Sequence, residues 1–356
     1  MSAARRLIRL GLLLGLLAIS LSLFLFRRIE HPGRAADPGQ TVTVFFSPGT
    51  RTTQIFKRLS EEGVVRSSFW AHAYYRIFRN ATPLEAGEYR FERPTPIDEV
   101  IDRMGRGDVV RHTIVVPEGL TSNEVFELFW SHGIGNPQAF RWALKDTDLL
   151  PGLARGAPDL EGFLFPETYV VTRSTFARRV VGQMLAEFRK NFTPELRERA
   201  HALHLTPVQA VTLASIVEKE SDVPQEGPLI ASVYLNRLRR GMRLQADPTV
   251  IYALKRDGKW TGTLYRSDYN YPSPYNTYLA SGLPPGPICN PGLRAVRAAL
   301  SPARTEYLYF VADTTGGHAF SRTFEEHLHA ISAARRQEKR LQTQTQANGS
   351  GGSSEN

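Results

Sequence analysis

Residues 207–221 read PVQAVTLASIVEKES. Thr206 offers an N-cap hydroxyl and Pro207 suits the first helical position, so a helix starts here. At about 100° per residue, Val208, Val211, Leu213, Ala214, Ile216 and Val217 cover nearly the whole circumference. A helix that is apolar on all sides is a buried one. Yet it ends in Glu218-Lys219-Glu220-Ser221. On the helical wheel Glu218 falls about 20° from Val211 and about 60° from Ser215, and Glu220 about 160° from Glu218. At least one carboxylate therefore leaves a buried stem, where lost hydration raises a carboxyl pKa and makes a general acid. A polar helix end frayed into water would be spelled the same way, and periodicity does not choose between the two glutamates.

Working outward, residues 159–335 have a helix-rich texture. Helices are expected over 176–191, 194–205, 228–240 (closed by Gly241) and from Asp247-Pro248 to Lys255. Residues 258–291 are loop-like, rich in proline and tyrosine, and Asn290-Pro291 starts a short helix. Tyr307–Ala312 alternates like a strand, Asp313–Gly317 is a turn, and Phe324–Arg336 is a closing helix. Upstream, residues 41–158 carry an internal repeat. Phe45-Phe46-Ser47-Pro48-Gly49 leads into Ile55, Phe56, Leu59 and Gly63. Seventy residues later Val115-Val116-Pro117-Glu118-Gly119 leads into Val125, Phe126, Phe129 and Gly133. Both read as strand, turn, amphipathic helix and glycine stop, a small α/β module used twice. Between them, Gly87–Phe91 reads as a strand and Pro96–Gly105 as a short helix.

The ends bound the compartment. Arg5, Arg6 and Arg9 precede an uncharged run, Leu10–Phe26, and Arg27 and Arg28 follow. Its seventeen residues span about 25 Å as a helix, and flanking arginines can snorkel to make up the roughly 30 Å core. The run outlasts a signal-peptide h-region and lacks a small-x-small site, so residues 1–29 are read as a cytoplasmic tail with an uncleaved anchor. Residues 30–40 are a linker, and residues 336–356, polar and aperiodic, are expected to be disordered. The formal charge of +9 favours anionic partners such as acidic lipid or wall polymer. The anchor and the lack of a concentrated basic stretch argue against nucleic acid. The lone cysteine, Cys289, excludes an internal disulfide and a cysteine-based zinc site. No HExxH is present, and the pairs His201/His204 and His327/His329 read as surface residues.

Several loops carry groups suited to a sugar, with ring faces to stack and amides and acids to bind hydroxyls. Leu160–Tyr169 holds aromatics with Glu161 and Glu167. Gly241–Thr249 holds Gln245 and Asp247. Tyr275-Asn276-Thr277-Tyr278 precedes the rigid Gly282–Pro287 loop. Each alone is ordinary turn chemistry. In order, LEGFLFPETY, ASIVEKES, VYLNRLRRGMRLQADPTVIY, YNTY and SGLPPGPICNPG, with the Pro117-Glu118-Gly119 turn, the AGEYRF strand at Ala86–Phe91 and YLYFVAD at Tyr307–Asp313, form a set. The set resembles the MltG/YceG-like family of endolytic murein transglycosylases over roughly residues 41–335. Cys289 stands where a small residue such as alanine is common in that family.

The resemblance implies an α+β protein: an N-terminal transmembrane helix, LysM-like α/β modules over 41–158, and a mixed, helix-rich catalytic domain over 159–335. A LysM proper runs β-α-α-β, and the second helix of each copy is not visible in the sequence. It implies Glu218 as the catalytic glutamate, with Ser215, Glu220, Gln245, Asp247, Tyr275, Asn276, Tyr278 and Glu167 as candidate substrate-binding residues, and no metal or cofactor. The implied chemistry uses one carboxylate. Glu218 protonates the glycosidic oxygen between MurNAc and GlcNAc, the 2-acetamido group steadies C1, and the carboxylate then takes the proton of the C6 hydroxyl as it closes to 1,6-anhydro-MurNAc. A lysozyme-type hydrolase would instead need a second carboxylate, about 5–5.5 Å or about 6.5–9.5 Å away, for which Glu220, Glu161, Glu167 and Asp247 are candidates. The implied partners are peptidoglycan glycan strands, membrane lipid through residues 10–26, and peptidoglycan synthases. The implied place is the plasma membrane, single-pass, with the N-terminus cytoplasmic and the catalytic domain extracytoplasmic. Two other classes remain: a non-catalytic wall-binding protein, in which Glu218 would be dispensable, and a metal-dependent hydrolase, against which the lack of an HExxH counts.

Overall fold

Thr41–Phe46 (β1) alternates inward and outward residues and pairs antiparallel with Gly87–Glu92 (β2), Val44 opposite Tyr89. Two helices, Thr52–Glu61 (α1) and Ser68–Tyr74 (α2), lie between them in sequence, and a π-helical turn over Tyr75–Arg79 continues the second. The order is β-α-α-β, so the second helix that sequence periodicity hides is present. This is a computed structural model, and it describes residues 39–220, 223–314 and 316–350, together with Leu13, Gly15–Leu17 and Ser20. The expected anchor at 10–26 and linker at 30–40 fall mainly outside the described residues, as does the end of the tail. Among the described residues no single helix is long and apolar enough to cross a membrane.

The chain divides into two compact units. The first holds the described residues up to Thr113, with His132–Gly135 and Val170–Phe176. Its core joins Val44 and Phe46 of β1, Tyr89 and Phe91 of β2, and Ile55, Phe56 and Leu59 of α1. Val100, Ile101 and Met104 of a third helix, Ile97–Gly105 (α3), complete it. Glu88 of β2 is buried and is held by His112 and Arg173.

The second unit comprises Ile114–Ser131, Asn136–Tyr169 and Ala177 onward. The sequence texture changes near Asp159, whereas the packing changes at Thr113. Its central element is Pro207–Glu220, numbered α8 after Ser122–Ser131 (α4), Pro137–Lys145 (α5), Ala177–Asn191 (α6) and Pro194–Ala202 (α7). Thr206 and Gln209 cap α8 reciprocally, the Gln209 N–H donating to Thr206 Oγ1 and the Thr206 N–H to Gln209 Oε1. Every residue from Ala210 to Val217 is buried. Gly227–Arg239 (α9) and Leu293–Leu300 (α11) pack on α8, as does Asp247–Arg256 (α10). Tyr309–Ala312 (β5) pairs antiparallel with His318–Ser321 (β6), a strand the sequence did not announce.

A second β-α-α-β order runs through His112–Val115 (β3), α4, α5 and Thr168–Val171 (β4), and β3 and β4 form their own two-stranded sheet. The turn glycines of the two copies match: Gly49 and Gly119 have φ of 81° and 77°, and the helix-closing Gly63 and Gly133 have 70° and 73°. These are left-handed values that only glycine adopts cheaply. The closing helix (α12) runs over Phe324–Ser350, past its expected end at Arg336 and through a segment expected to be disordered. Gln, Lys, Arg and Leu between 337 and 346 are good helix formers, and no glycine interrupts them before Gly349.

Candidate active site

The end of α8 is held by the Ile288–Gly292 segment. Ser215 is fully buried. Its hydroxyl donates to the Thr212 carbonyl at 2.7 Å and accepts the Ile288 N–H at 3.0 Å. Cys289 is buried with its thiol toward the Ser215 carbonyl, and burial pushes the thiol well above its usual range. It is therefore a packing residue and not a reactive thiol facing a cleft. Asn290, also fully buried, joins three segments. Its Oδ1 accepts the Leu164 N–H at 2.9 Å, its Nδ2 donates to the Leu120 carbonyl at 2.9 Å, and its backbone N–H donates to that same carbonyl. The Gly119 N–H returns a bond to the Asn290 carbonyl at 2.9 Å. The Pro117-Glu118-Gly119 turn is thereby clasped to the segment that precedes α11.

Glu218 sits at this junction. It is half-buried, and its Oε2 accepts the N–H of Gly292, the residue before α11, at 3.1 Å. Burial raises its carboxyl above the ordinary range. The Gly292 N–H opposes the rise, the nearby Glu118 charge adds to it, and Arg294 and Lys219 oppose it. A half-buried carboxyl in this balance holds a proton at a higher pH than a solvated one, as a general acid requires. The Lys219 ammonium donates to the Gly119 carbonyl at 3.4 Å, so the turn closes over the end of the helix. The exposed Glu118 carboxylate rests against Cα of Gly292, in the space where any side chain at 292 would lie.

Glu220 faces another neighbourhood. Its Oε1 accepts the Tyr234 hydroxyl at 2.7 Å. Burial pushes its carboxyl to about 7; Tyr234 opposes the shift, Asp247 adds to it, and His318 and Arg237 oppose it. Asp247 accepts the hydroxyls of Tyr278 at 2.5 Å and Tyr269 at 3.2 Å. Glu220, Asp247 and Tyr278 thus gather as a cluster, with Tyr234 and Tyr269, which sequence reasoning did not select.

The other candidates play supporting parts in this structure. Tyr275 is buried against the Tyr252 ring, with the Arg256 guanidinium over its face. Asn276 is fully buried; its Nδ2 donates to the carbonyls of Tyr269 and Tyr271 and its Oδ1 accepts the Tyr278 N–H. Both hold the tyrosine loop in shape, with no face free for a sugar. Gln245 is exposed at a left-handed φ of 52°, its N–H donating to the Thr277 carbonyl. Glu167 is exposed and caps the neighbouring Thr168 N–H. Glu161 is buried at the start of α4, where it accepts from the Ser122 N–H and hydroxyl, Asn290 and Tyr252; burial pushes its carboxyl to about 8. Among the described residues no group of three or more His, Cys, Asp or Glu side chains is placed to hold a metal ion.

Glu118 and Arg294 are the groups beside Glu218 that the sequence did not single out. One signal was available. In the 70-residue repeat Glu118 aligns with Pro48, so the second turn carries a carboxylate that the first lacks.

The model of the YceG-like family matches residues 44–333. The chain is similar to an "Endolytic murein transglycosylase" of Bacillus subtilis (strain 168), 30% identical over 310 residues that cover 82% of this chain and 84% of that protein. It is similar to a protein of the same description from Streptococcus pneumoniae serotype 2 (strain D39), 29% identical over 318 residues that cover 80% of this chain. There it spans only 56% of the relative's length. Among solved structures it resembles a yceG-like protein of Listeria monocytogenes, with a TM-score of 0.55 and 29% identity, over 81% of this chain and 98% of that one.

Proposed function

The chain belongs to the YceG-like family, and from that premise we propose that it is an endolytic peptidoglycan lytic transglycosylase. It cleaves the MurNAc–GlcNAc bond within nascent glycan strands, leaves 1,6-anhydro-MurNAc ends and so terminates strand elongation. The observation that carries the assignment is Glu218. A carboxyl emerges from the end of a helix buried from Ala210 to Val217, is raised by burial, and is fixed by a backbone N–H at Gly292. Protonated, it delivers its proton to the glycosidic oxygen. As a carboxylate, it takes the C6 hydroxyl proton when that oxygen closes on C1. The same group is acid and then base, and no water is consumed.

The β-α-α-β order of residues 41–92, with its paired strands, supports a LysM-like module that binds glycan. Residues 10–26 serve as the anchor, holding the catalytic unit on the extracytoplasmic side of the plasma membrane, where the substrate and its synthases are found. The Tyr234–Glu220–Asp247–Tyr278 cluster supports the reactive end of α8 and can bind sugar hydroxyls at its rim.

A hydrolase reading is favoured by one observation, the carboxylate of Glu118 beside Glu218. Digestion of purified sacculi, followed by mass spectrometry of the soluble fragments, separates the two. Fragments ending in 1,6-anhydro-MurNAc are the expected product. Reducing MurNAc ends would identify a hydrolase and refute the transglycosylase assignment.

A further inference from the structure

The reaction assigned to Glu218 leaves one substrate group without a protein partner. When the C1–O bond breaks, the acetamido oxygen on C2 must attack C1, and the bicyclic product of that attack is a cation that keeps the amide proton. An acceptor beside Glu218 would orient the amide and offset the charge. Of the groups that act on Glu218, Gly292 offers an N–H and Arg294 and Lys219 are cations; Glu118 is the acceptor. Its carboxylate is exposed and has no hydrogen-bonding or ion-pair partner among the described residues.

Its position is built. The left-handed Gly119 makes the turn, and the reciprocal bonds Gly119 N–H to Asn290 carbonyl and Asn290 N–H to Leu120 carbonyl fix that turn to residues 290–292. Gly292 has no side chain, and a Cβ there would occupy the space of the Glu118 carboxylate. On the other side, the Gly119 backbone lies against the side chains of Glu218 and Lys219. Glu118 and Glu218 therefore meet at one residue, Gly292, the first through its Cα and the second through its N–H.

We propose that Glu118 is a second catalytic residue, the acceptor for the N–H of the MurNAc 2-acetamido group. The proposal rests on the transglycosylase reading. As the amide oxygen bonds to C1, the C1–O4 bond breaks and the Glu218 proton passes to the departing GlcNAc O4. The positive charge of the resulting oxazolinium is shared through its N–H with the Glu118 carboxylate. The C6 oxygen then bonds to C1, the C1–amide oxygen bond breaks, and the C6 proton goes to Glu218. Glu118 begins and ends the cycle as a carboxylate, and the acetamido group is regenerated.

The test is binding of a muramyl thiazoline, which becomes a stable sulfur mimic of the bicyclic cation once its ring nitrogen takes up a proton from solvent, to the full chain by calorimetry. A 1,6-anhydro-MurNAc-ended fragment serves as the comparison ligand. Removing a charged hydrogen-bond partner loses on the order of 10- to 100-fold in affinity. Glu118→Gln is expected to weaken thiazoline binding by that factor and to leave the anhydro fragment within about 3-fold. Gly292→Ala, which displaces the Glu118 carboxylate, should reproduce the loss, with unchanged thermal unfolding showing that the fold survives. Equal thiazoline affinity in Glu118→Gln and the parent chain overturns the proposal. So does an equal loss for both ligands, which marks a merely structural role. Reducing ends on parent-chain products would overturn the transglycosylase reading instead, and that outcome is read from the products independently of the binding data.

Discussion

Between Phe46 and Thr52 the chain turns through Pro48-Gly49 and enters a helix; between Val116 and Ser122 it turns through Pro117-Glu118-Gly119 and does the same. The glycines share one backbone conformation. The first turn is closed locally, the Thr50 N–H and hydroxyl both donating to the Ser47 carbonyl. The second is closed at long range, by Asn290. The helices start differently as well. At α1 the exposed Arg51 N–H donates to Gln54 at 3.4 Å, whereas at α4 the buried Ser122 N–H and hydroxyl donate to Glu161. A single backbone device is therefore closed on itself in one copy and tied to the Glu218 junction in the other. What distinguishes them is what each turn is tied to, since the turn geometry is common to both.

The largest expected effect tests whether the second turn closes over the reacting group. Glu218→Gln keeps the shape and removes the proton. A general acid–base step contributes roughly 10²–10⁴-fold, and one group serves both steps, so cleavage of sacculi should fall by about 10⁴-fold or more. Thermal unfolding should be unchanged. Near-normal fragment release by the variant would place the acid elsewhere and strip the second turn of its role.

The two helix starts differ in their response to pH. The Glu161 carboxyl, pushed to about 8 by burial, keeps a proton in the folded chain that the unfolded chain loses near the ordinary carboxyl pKa of about 4.3. Its stabilising contribution is thus complete below that ordinary value and is lost as pH rises through about 8. The loss is at most about 1.4 kcal/mol per pH unit for one proton. Unfolding midpoints between pH 5 and pH 8.5 should therefore fall more steeply in the parent chain than in Glu161→Gln. Parallel curves would mean that Glu161 is ionised in the folded chain, held by its four donors.

Much of this comparison was written in the sequence, and the rest was hidden for definite reasons. The helix at 207–221 is legible because six apolar residues, from Val208 to Val217, cover the wheel and because Thr206-Pro207 marks its start. The repeat was legible because its glycines recur at a fixed offset. The second helices are not: SFWAHAY at 68–74 has no single apolar face, and at 137–145 only Asn136-Pro137 marks a start, the Asn136 side chain capping α5. Tyr275 and Asn276 suggest a sugar platform because aromatic and amide groups suit one. Composition does not reveal facing, and both turn inward to hold their own loop. Asn290 looked like the start of a helix, while its function is to join chain segments more than a hundred residues apart. Glu118 is hard to single out in the sequence because it stands at a turn position where the two copies differ, opposite Pro48.

The smallest effects separate backbone from site. Gly49→Ala and Gly119→Ala each force a side chain into the left-handed region, at a cost of roughly 1 kcal/mol apiece. Neither new Cβ is blocked: nothing lies within 4 Å at Gly49, and at Gly119 the Glu218 and Lys219 side chains lie at 3.6 Å and 3.7 Å, ordinary contact distances. The two variants should therefore show similar small losses in urea midpoint. Their activities should part. At Gly49 the strain relaxes within a turn bonded only to itself, and cleavage should stay within about 2-fold of the parent, because a surface turn remote from the chemistry leaves the barrier alone. At Gly119 the same strain bears on the bonds to Asn290 and Lys219 and on the seat of Glu118, and misplacing a site by even about 1 Å costs up to about 10²-fold. A loss of several-fold is expected, seen in kcat with KM little changed. Equal activities in the two variants would show that the second turn is as passive as the first.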